Sequence, residues 1–82
     1  MAREIVLYMR KECGLCDEAA AMLRHLSRDL RFTITTVDID DDPQALADYN
    51  DVIPVIAVGG RIVSQAPVDE DALREALSAA LG

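Results

Sequence analysis

The sequence predicts one α/β domain in which a mixed four-stranded sheet carries helices on both faces. First, the hydrophobic periodicity alternates between strand-like and helix-like segments, in the order β-α-β-α-β-β-α. Second, the chain has 82 residues, of which 51% are hydrophobic, so residues 1–82 can fold around one packed core. Third, the pair Gly59-Gly60 separates two strand-like runs and predicts a tight hairpin turn.

The first half of the chain predicts a strand, a helix and a second strand. Residues 4–9 (EIVLYM) form a short apolar run, as expected of a strand that is buried on both faces. Over residues 14–29, apolar side chains recur at steps of three and four, which is typical of a helix with one buried face. Residues 31–39 alternate and are rich in β-formers, so they predict a second strand. Because a helix joins the two strands, we expect them to be parallel.

The second half predicts a short helix, a hairpin and a long final helix. An aspartate followed by Pro43 is typical of a helix start, and Asn50 is placed to end that helix. Residues 52–58 (VIPVIAV) and 61–65 (RIVSQ) predict antiparallel strands around the glycine turn. In the last segment, a cap such as Asp69 precedes acidic residues and a periodic leucine pattern that ends in glycine.

Charge and composition exclude several classes of function. The net charge of −7 argues against nucleic acids and anionic membrane surfaces as partners. No apolar run approaches the roughly 20 residues that span a bilayer, and MAREIVLYMR is too short in apolar residues for a secretory signal. We therefore expect a monomeric cytoplasmic protein, in a compartment that keeps thiols mostly reduced.

The two cysteines, Cys13 and Cys16, stand where the first strand gives way to the first helix. The unpaired N–H groups of a helix start stabilise an anion, which predicts a lowered pKa for the Cys13 thiol. Cys16 follows one helical turn later, so its sulfur can close a disulfide with Cys13. A ring this small constrains little of the unfolded chain and is a poor structural staple. The pair is therefore better explained by thiol–disulfide exchange.

Two other interpretations of the pair stay open at this point. A C-x-x-C motif is also half of a zinc site, but zinc takes four ligands. The chain has no further cysteine, and its one histidine, His25, lies nine residues past Cys16 on the predicted helix. A metal site would need a second copy or an outside thiol, so we expect no bound metal. The remaining alternative is a pair of inert core thiols.

The flanking residues assign roles to the two thiols. The residue at the helix start is more accessible, so Cys13 should be the attacking thiolate and Cys16 the resolving thiol. Gly14 keeps the approach to Cys13 open. Arg10 and Lys11 favour the Cys13 thiolate, whereas the nearby acids oppose it, namely Glu12, Asp17 and Glu18.

Over essentially its whole length the chain resembles glutaredoxins, most closely the short bacterial glutaredoxin-like proteins of the thioredoxin fold, and three stretches carry the resemblance. VLYMRKECGLCDEA is similar to the family's first strand and C-x-x-C, with Tyr8 and Arg10 at the positions of its usual tyrosine and lysine. VDIDDDP resembles the start of the second helix, and VIPVIAVGGRIV resembles the family's Thr-Val-Pro segment and hairpin. The resemblance implies a thioredoxin-like fold and a cis bond between Ile53 and Pro54.

The resemblance also implies where a substrate binds. The backbone of Ile53, turned by Pro54 toward the cysteines, can pair with an extended thiol-bearing chain as an added strand would. We therefore expect substrate contacts at five residues: Arg10, Gly14, Leu15, Ile53 and Pro54. The sequence departs from the family where IVSQAPVDED replaces the Gly-Gly that binds glutathione. Glutathione, as reductant or co-substrate, is left as an open possibility.

These observations predict a thiol–disulfide oxidoreductase that needs no cofactor. Its substrates would be disulfide-containing proteins or small thiols, and Cys16 would resolve a mixed disulfide formed at Cys13. One alternative is a binding or sensor module whose partner affinity depends on the redox state of the pair. Another is a [2Fe–2S] cluster carrier in which two protomers share the cluster through Cys13 and outside thiols.

Overall fold

The structure, a computed structural model, describes residues 3–82, so the first two residues of the predicted domain lie outside the described part. A short 3₁₀ turn, Ile39–Asp41, links the second strand to the second helix. The remaining elements follow the predicted order: β1 (Glu4–Met9), α1 (Gly14–Leu30), β2 (Thr33–Asp38), α2 (Pro43–Tyr49), β3 (Val55–Val58), β4 (Arg61–Gln65) and α3 (Glu70–Leu81).

The four strands form one mixed sheet in the order β2-β1-β3-β4. As predicted, β1 and β2 are parallel, and β3 and β4 form an antiparallel hairpin. Its turn residues, Gly59 and Gly60, have φ of 58° and 78°, values that glycine adopts at little cost. The register pairs Tyr8 with Val37 on one side and with Val55 on the other. The end of β1 therefore lies between the end of β2 and the start of β3.

The main core lies on the face of the sheet that α1 and α3 cover. Alternate residues of a strand point to opposite faces, and Ile5 and Leu7 of β1 are both fully buried in this core. The helices contribute their own buried stripes: Ala19, Leu23, Leu26, Leu73 and Leu77. On the other face, Tyr8 stacks on a tyrosine of α2. Helices thus cover both faces, as predicted.

Two strand boundaries predicted from the sequence are wrong. The predicted strand 31–39 begins two residues later, because Arg31 takes a left-handed conformation (φ 55°) and its N–H caps the end of α1. The predicted strand 52–58 begins at Val55, directly after Pro54, which has no N–H to donate to a strand neighbour. Within residues 3–82, no helix combines the length and the apolar character needed to cross a membrane.

Candidate active site

Cys13 and Cys16 form a disulfide at the N-terminus of α1, with their Cα atoms 5.2 Å apart. Cys13 is the N-cap residue of the helix, and its Sγ accepts a hydrogen bond from the backbone N–H of Cys16 at 3.1 Å. Cys16 is 2% exposed, whereas Cys13 is only half-buried. The more accessible sulfur is therefore the one at the helix start, where the backbone donor points at it.

The turn that leads into the helix contains an unusual backbone conformation. Glu12 has a φ of 59°, in the left-handed region that costs a non-glycine residue about 1–2 kcal/mol. This residue reverses the chain between the end of β1 and Cys13. Sequence reasoning did not predict it, because glutamate has no preference for that region and only a glycine or asparagine there would have been a signal.

Pro54 is buried beside the start of α1, at the beginning of β3. The Ile53–Pro54 peptide bond is cis in the structure, and so is the Ala66–Pro67 bond. The strand that follows Pro54 pairs with the end of β1, which leads into the cysteine turn. The fold therefore brings four of the predicted contact residues close to the disulfide: Gly14, Leu15, Ile53 and Pro54.

A small apolar groove of about 70 Å³ lies next to these residues. One wall comes from α1, through Leu15, Ala19 and Met22, and the other from Pro54 and the segment 66–68. Leu15, between the two cysteines, is 57% exposed and is one of two large apolar side chains that are exposed among the described residues. Sequence reasoning missed the contribution of residues 66–68, although Pro67 marked an irregular segment before α3.

Arg10 forms side-chain hydrogen bonds with two partners that are distant in sequence. Its Nε and Nη2 donate to the two carboxylate oxygens of Asp40, each at 3.0 Å, and Nη2 also donates to Oδ1 of Asn50 at 2.8 Å. The hydrogen bond with Asp40 raises the pKa of Arg10 above its ordinary value, an effect that burial opposes. The Asp40 carboxylate thus offsets the positive charge of Arg10, which was predicted to favour the Cys13 thiolate.

A pair of tyrosines fixes α2 against the end of β1. The rings of Tyr8 and Tyr49 lie 4.7 Å apart with a tilt of 45°, an arrangement that aromatic pairs favour. Burial raises the pKa of the Tyr49 hydroxyl, and the neighbouring Tyr8 and Asp48 raise it further. Tyr49 is therefore a neutral packing residue at ordinary pH.

Among residues 3–82, no three His, Cys, Asp or Glu side chains converge on a position that could hold a metal ion. The histidine has a structural contact, since its Nδ1 lies 2.8 Å from a carboxylate oxygen of Glu70 on α3. Asp38 and Asp42 use their carboxylates to cap the 3₁₀ turn and α2. These histidine and aspartate side chains are therefore engaged in contacts of the fold.

Comparison with known proteins identifies a glutaredoxin-like family whose match extends along nearly the whole chain. The family described as "Glutaredoxin-like domain (DUF836)" matches residues 4–78. An uncharacterized protein of Mycobacterium tuberculosis is 34% identical over 76 residues, covering 87% of this chain and 78% of the relative. An X-ray structure of a protein from X. campestris is 36% identical, with a TM-score of 0.76 over 93% of this chain and 97% of the other.

Two further structures extend the similarity. The solution structure of protein Ne2328 from Nitrosomonas europaea has a TM-score of 0.78 at 29% identity, covering 89% of this chain and 88% of the other. Oxidised thioredoxin from Plasmodium falciparum has a TM-score of 0.66 at 21% identity, covering 94% and 79%. At that identity the thioredoxin shows the fold alone. The match to a glutaredoxin-like domain, together with the C-x-x-C disulfide in this fold, supports a thiol–disulfide redox role.

Proposed function

The chain belongs to the glutaredoxin-like family (DUF836), and from this premise we propose that it is a thiol–disulfide oxidoreductase that reduces protein or mixed disulfides. The observation that carries the proposal is the Cys13–Cys16 disulfide, in which one sulfur is accessible at a helix start and the other is buried. This asymmetry gives the two sulfurs different tasks.

In the first step, the Cys13 thiolate of the reduced protein attacks a disulfide R–S–S–R′. A bond forms between Cys13 Sγ and the sulfur of R, the S–S bond of the substrate breaks, and R′S⁻ leaves and takes up a proton. The N–H of Cys16, 3.1 Å from Sγ in the oxidised state, is placed to stabilise the negative charge on the attacking sulfur.

In the second step, the Cys16 thiolate attacks Cys13 Sγ and releases RS⁻, which also takes up a proton. The substrate has then gained two electrons and two protons, and the protein holds the Cys13–Cys16 disulfide. The buried position of Cys16 favours this intramolecular attack over reaction with a second substrate. A thiol reductant outside the chain must reduce the disulfide again before the next cycle.

The surroundings of Cys13 fit an extended substrate. A Cβ placed on Gly14 would meet no atom within 4 Å, so the approach on that side is open. Within residues 3–82, the backbone N–H and C=O of Ile53 make no hydrogen bond with other backbone groups, so they can pair with a substrate strand. Leu15 and Pro54 supply apolar contacts next to the reacting sulfur. Arg10 stays a predicted substrate contact through the part of its side chain that Asp40 leaves exposed.

The test is catalytic reduction of a protein disulfide, such as that of insulin, with dithiothreitol as the reductant. We expect Cys13→Ser to reduce the rate to the background set by dithiothreitol alone. Cys16→Ala is the matched variant three residues away. When it is reduced, freed of dithiothreitol and mixed with the protein disulfide, it should keep the first step and accumulate a mixed disulfide at Cys13, which mass spectrometry detects. Turnover by Cys13→Ser at the wild-type rate would contradict the proposal.

A further inference from the structure

We propose that the apolar groove beside Leu15 binds an apolar side chain of a polypeptide disulfide, so that the site selects protein disulfides over glutathione. The inference rests on the proposed function and names its substrate class. The occupant is an extended segment of a partner protein in which an apolar residue stands next to the reacting cysteine.

The composition of the groove is the first reason. Among the described residues that line it, Glu18 is the one with a charged side chain, and the others are apolar. A groove of about 70 Å³ is large enough for part of one aliphatic side chain and too small for a whole tripeptide. Because Leu15 is exposed, a side chain bound there would remove apolar surface of both partners from water.

The segment after β4 is the second reason, because it offers little to the carboxylates of glutathione. The N–H of Ala66 already donates to the carbonyl of Val52 at 3.3 Å, and Pro67 has no N–H. At the start of α3, the Asp69 carboxylate accepts the N–H of Ala72 at 3.0 Å. At three positions of this segment, Ala66, Pro67 and Ala72, a backbone donor for a ligand carboxylate is therefore absent or already occupied.

Charge is the third reason. Residues 32–82 carry ten acidic and two basic side chains. One of the two basic residues, Arg74, is paired with Asp29 at 3.0 Å, and Asp69, Glu70 and Asp71 follow directly after the groove residue Val68. Glutathione has a net negative charge at neutral pH and is repelled by such a surface. A polypeptide segment with a basic residue near its cysteine is attracted by it.

A set of three probes with one leaving group tests this selectivity. Each probe is a mixed disulfide with thionitrobenzoate, whose release is followed by absorbance during a single turnover of the reduced protein. Two probes are short peptides that differ only in carrying leucine or glycine on both sides of the cysteine, with a lysine at the end. The third probe is the mixed disulfide of glutathione with thionitrobenzoate, and it is called the glutathione probe.

We expect the leucine probe to react about 10-fold faster than glutathione, a factor that corresponds to about 1.4 kcal/mol. The glycine probe should lie between them. Ratios between probes are compared because a change in the reactivity of Cys13 affects all three probes alike. Raising the ionic strength should narrow the difference between the peptides and glutathione, since salt screens the repulsion.

Two matched variants locate the effect. Leu15→Ser removes an exposed apolar side chain from the groove and should bring the rates of the leucine and glycine probes to within about 2-fold of each other, since the leucine side chain loses its apolar contact. Ile62→Ser removes the other large exposed apolar side chain of the described residues, 44% exposed on β4, and should leave the ratio as in the wild type. Glu18→Lys should raise the glutathione rate relative to both peptides.

The outcomes separate this inference from the proposed function. Equal rates for all three probes, or a preference for glutathione, would overturn the groove assignment while leaving disulfide reduction intact. A ratio that changes equally in Leu15→Ser and Ile62→Ser would also overturn it. Release from none of the probes would contradict the proposed function and the groove assignment together.

Discussion

Helices α1 and α3 begin with the same hydrogen-bonding pattern but with different capping atoms. In α1, the sulfur of Cys13 accepts the N–H of the residue three positions later, and its carbonyl accepts the N–H of Asp17 at 3.0 Å. In α3, the carboxylate of Asp69 accepts the N–H of Ala72, and its carbonyl accepts the N–H of Leu73 at 2.8 Å. The same capping geometry thus holds a cysteine sulfur at the start of α1 and a carboxylate oxygen at the start of α3.

The ends of the same two helices also match in conformation and differ in residue type. Gly82 has a φ of 73° after α3, and Arg31 has a φ of 55° after α1. Glycine adopts this conformation at little cost, whereas arginine does not. At both of its ends, therefore, α1 carries a residue that is less favourable for the helix than its counterpart in α3. Under the proposed function, the difference at the start provides the attacking thiol. At the other end, Arg31 is not among the described residues that line the groove.

Exchanging the caps gives the largest expected effect. Cys13→Asp should give α1 the cap of α3 and reduce disulfide reductase activity to background, because no attacking thiol remains. Relative to Cys13→Ala, which also lacks the disulfide, it should be more stable by about 1 kcal/mol, because aspartate satisfies a helix N–H. Urea denaturation measures the difference. Equal stability of the two variants would show that the Cys13 position is not a true cap.

Removing the cap of α3 tests the unreactive half of the comparison. Asp69→Ala should lower the free energy of unfolding by about 1 kcal/mol, since the N–H of Ala72 loses its partner. Asp69→Asn is the matched control, because an asparagine oxygen caps a helix almost equally well, and it should lie within about 0.3 kcal/mol of the wild type. A large loss in both variants would point to the charge of Asp69 instead of its hydrogen bond.

The comparison of the helix ends predicts that one substitution at the end of α1 makes the protein more stable. Arg31→Gly should raise the free energy of unfolding by about 0.5–1 kcal/mol, because glycine removes the cost of the left-handed conformation. Arg28→Gly, the same change inside the last turn of α1, should lower it by about 1 kcal/mol. Thermal unfolding of both variants against the wild type checks the opposite signs. A loss of stability in Arg31→Gly would contradict this interpretation of the helix end.

The contact between the two helices gives the smallest expected effect. Asp29 of α1 and Arg74 of α3 form an ion pair at 3.0 Å, with side chains 60% and 40% exposed. Asp29→Asn should cost at most about 0.5 kcal/mol, because exposed pairs are screened by solvent. The difference from the wild type should disappear at about 1 M salt. A loss that persists at high salt would mean that packing, and not charge, joins the helices here.

Local patterns were sufficient to predict most of the fold. The apolar run of β1 and the glycine turn of the hairpin depend on neighbours in sequence, and both appear in the structure where they were expected. The start of β2 was misjudged because Arg31 looks like a strand residue in a β-rich segment, yet its conformation is set by the helix before it. The start of β3 was misjudged because the apolar pattern continues through Pro54.

The part of the site formed by the C-x-x-C motif and the Pro54 segment could be predicted from the sequence. The disulfide and its helix start follow from residues within one turn of each other. The pairing of Arg10 with Asp40 joins groups 30 residues apart in sequence, and no local pattern signals it. The wall that Pro67 adds to the groove is also a product of the tertiary fold. The surroundings of the two cysteines therefore depend on ion pairs and packing contacts between residues that are distant in sequence.

The stacked tyrosines have a practical consequence for measurements. The chain contains no tryptophan and two tyrosines, and the two tyrosines are each other's stacking partners. Tyrosine absorbance and tyrosine emission therefore report on one place, the contact between the end of β1 and α2. Far-ultraviolet ellipticity instead averages over all helices. If the two signals change together during denaturation, the domain unfolds in one cooperative transition, and an earlier change in the tyrosine signal would mean that α2 detaches first.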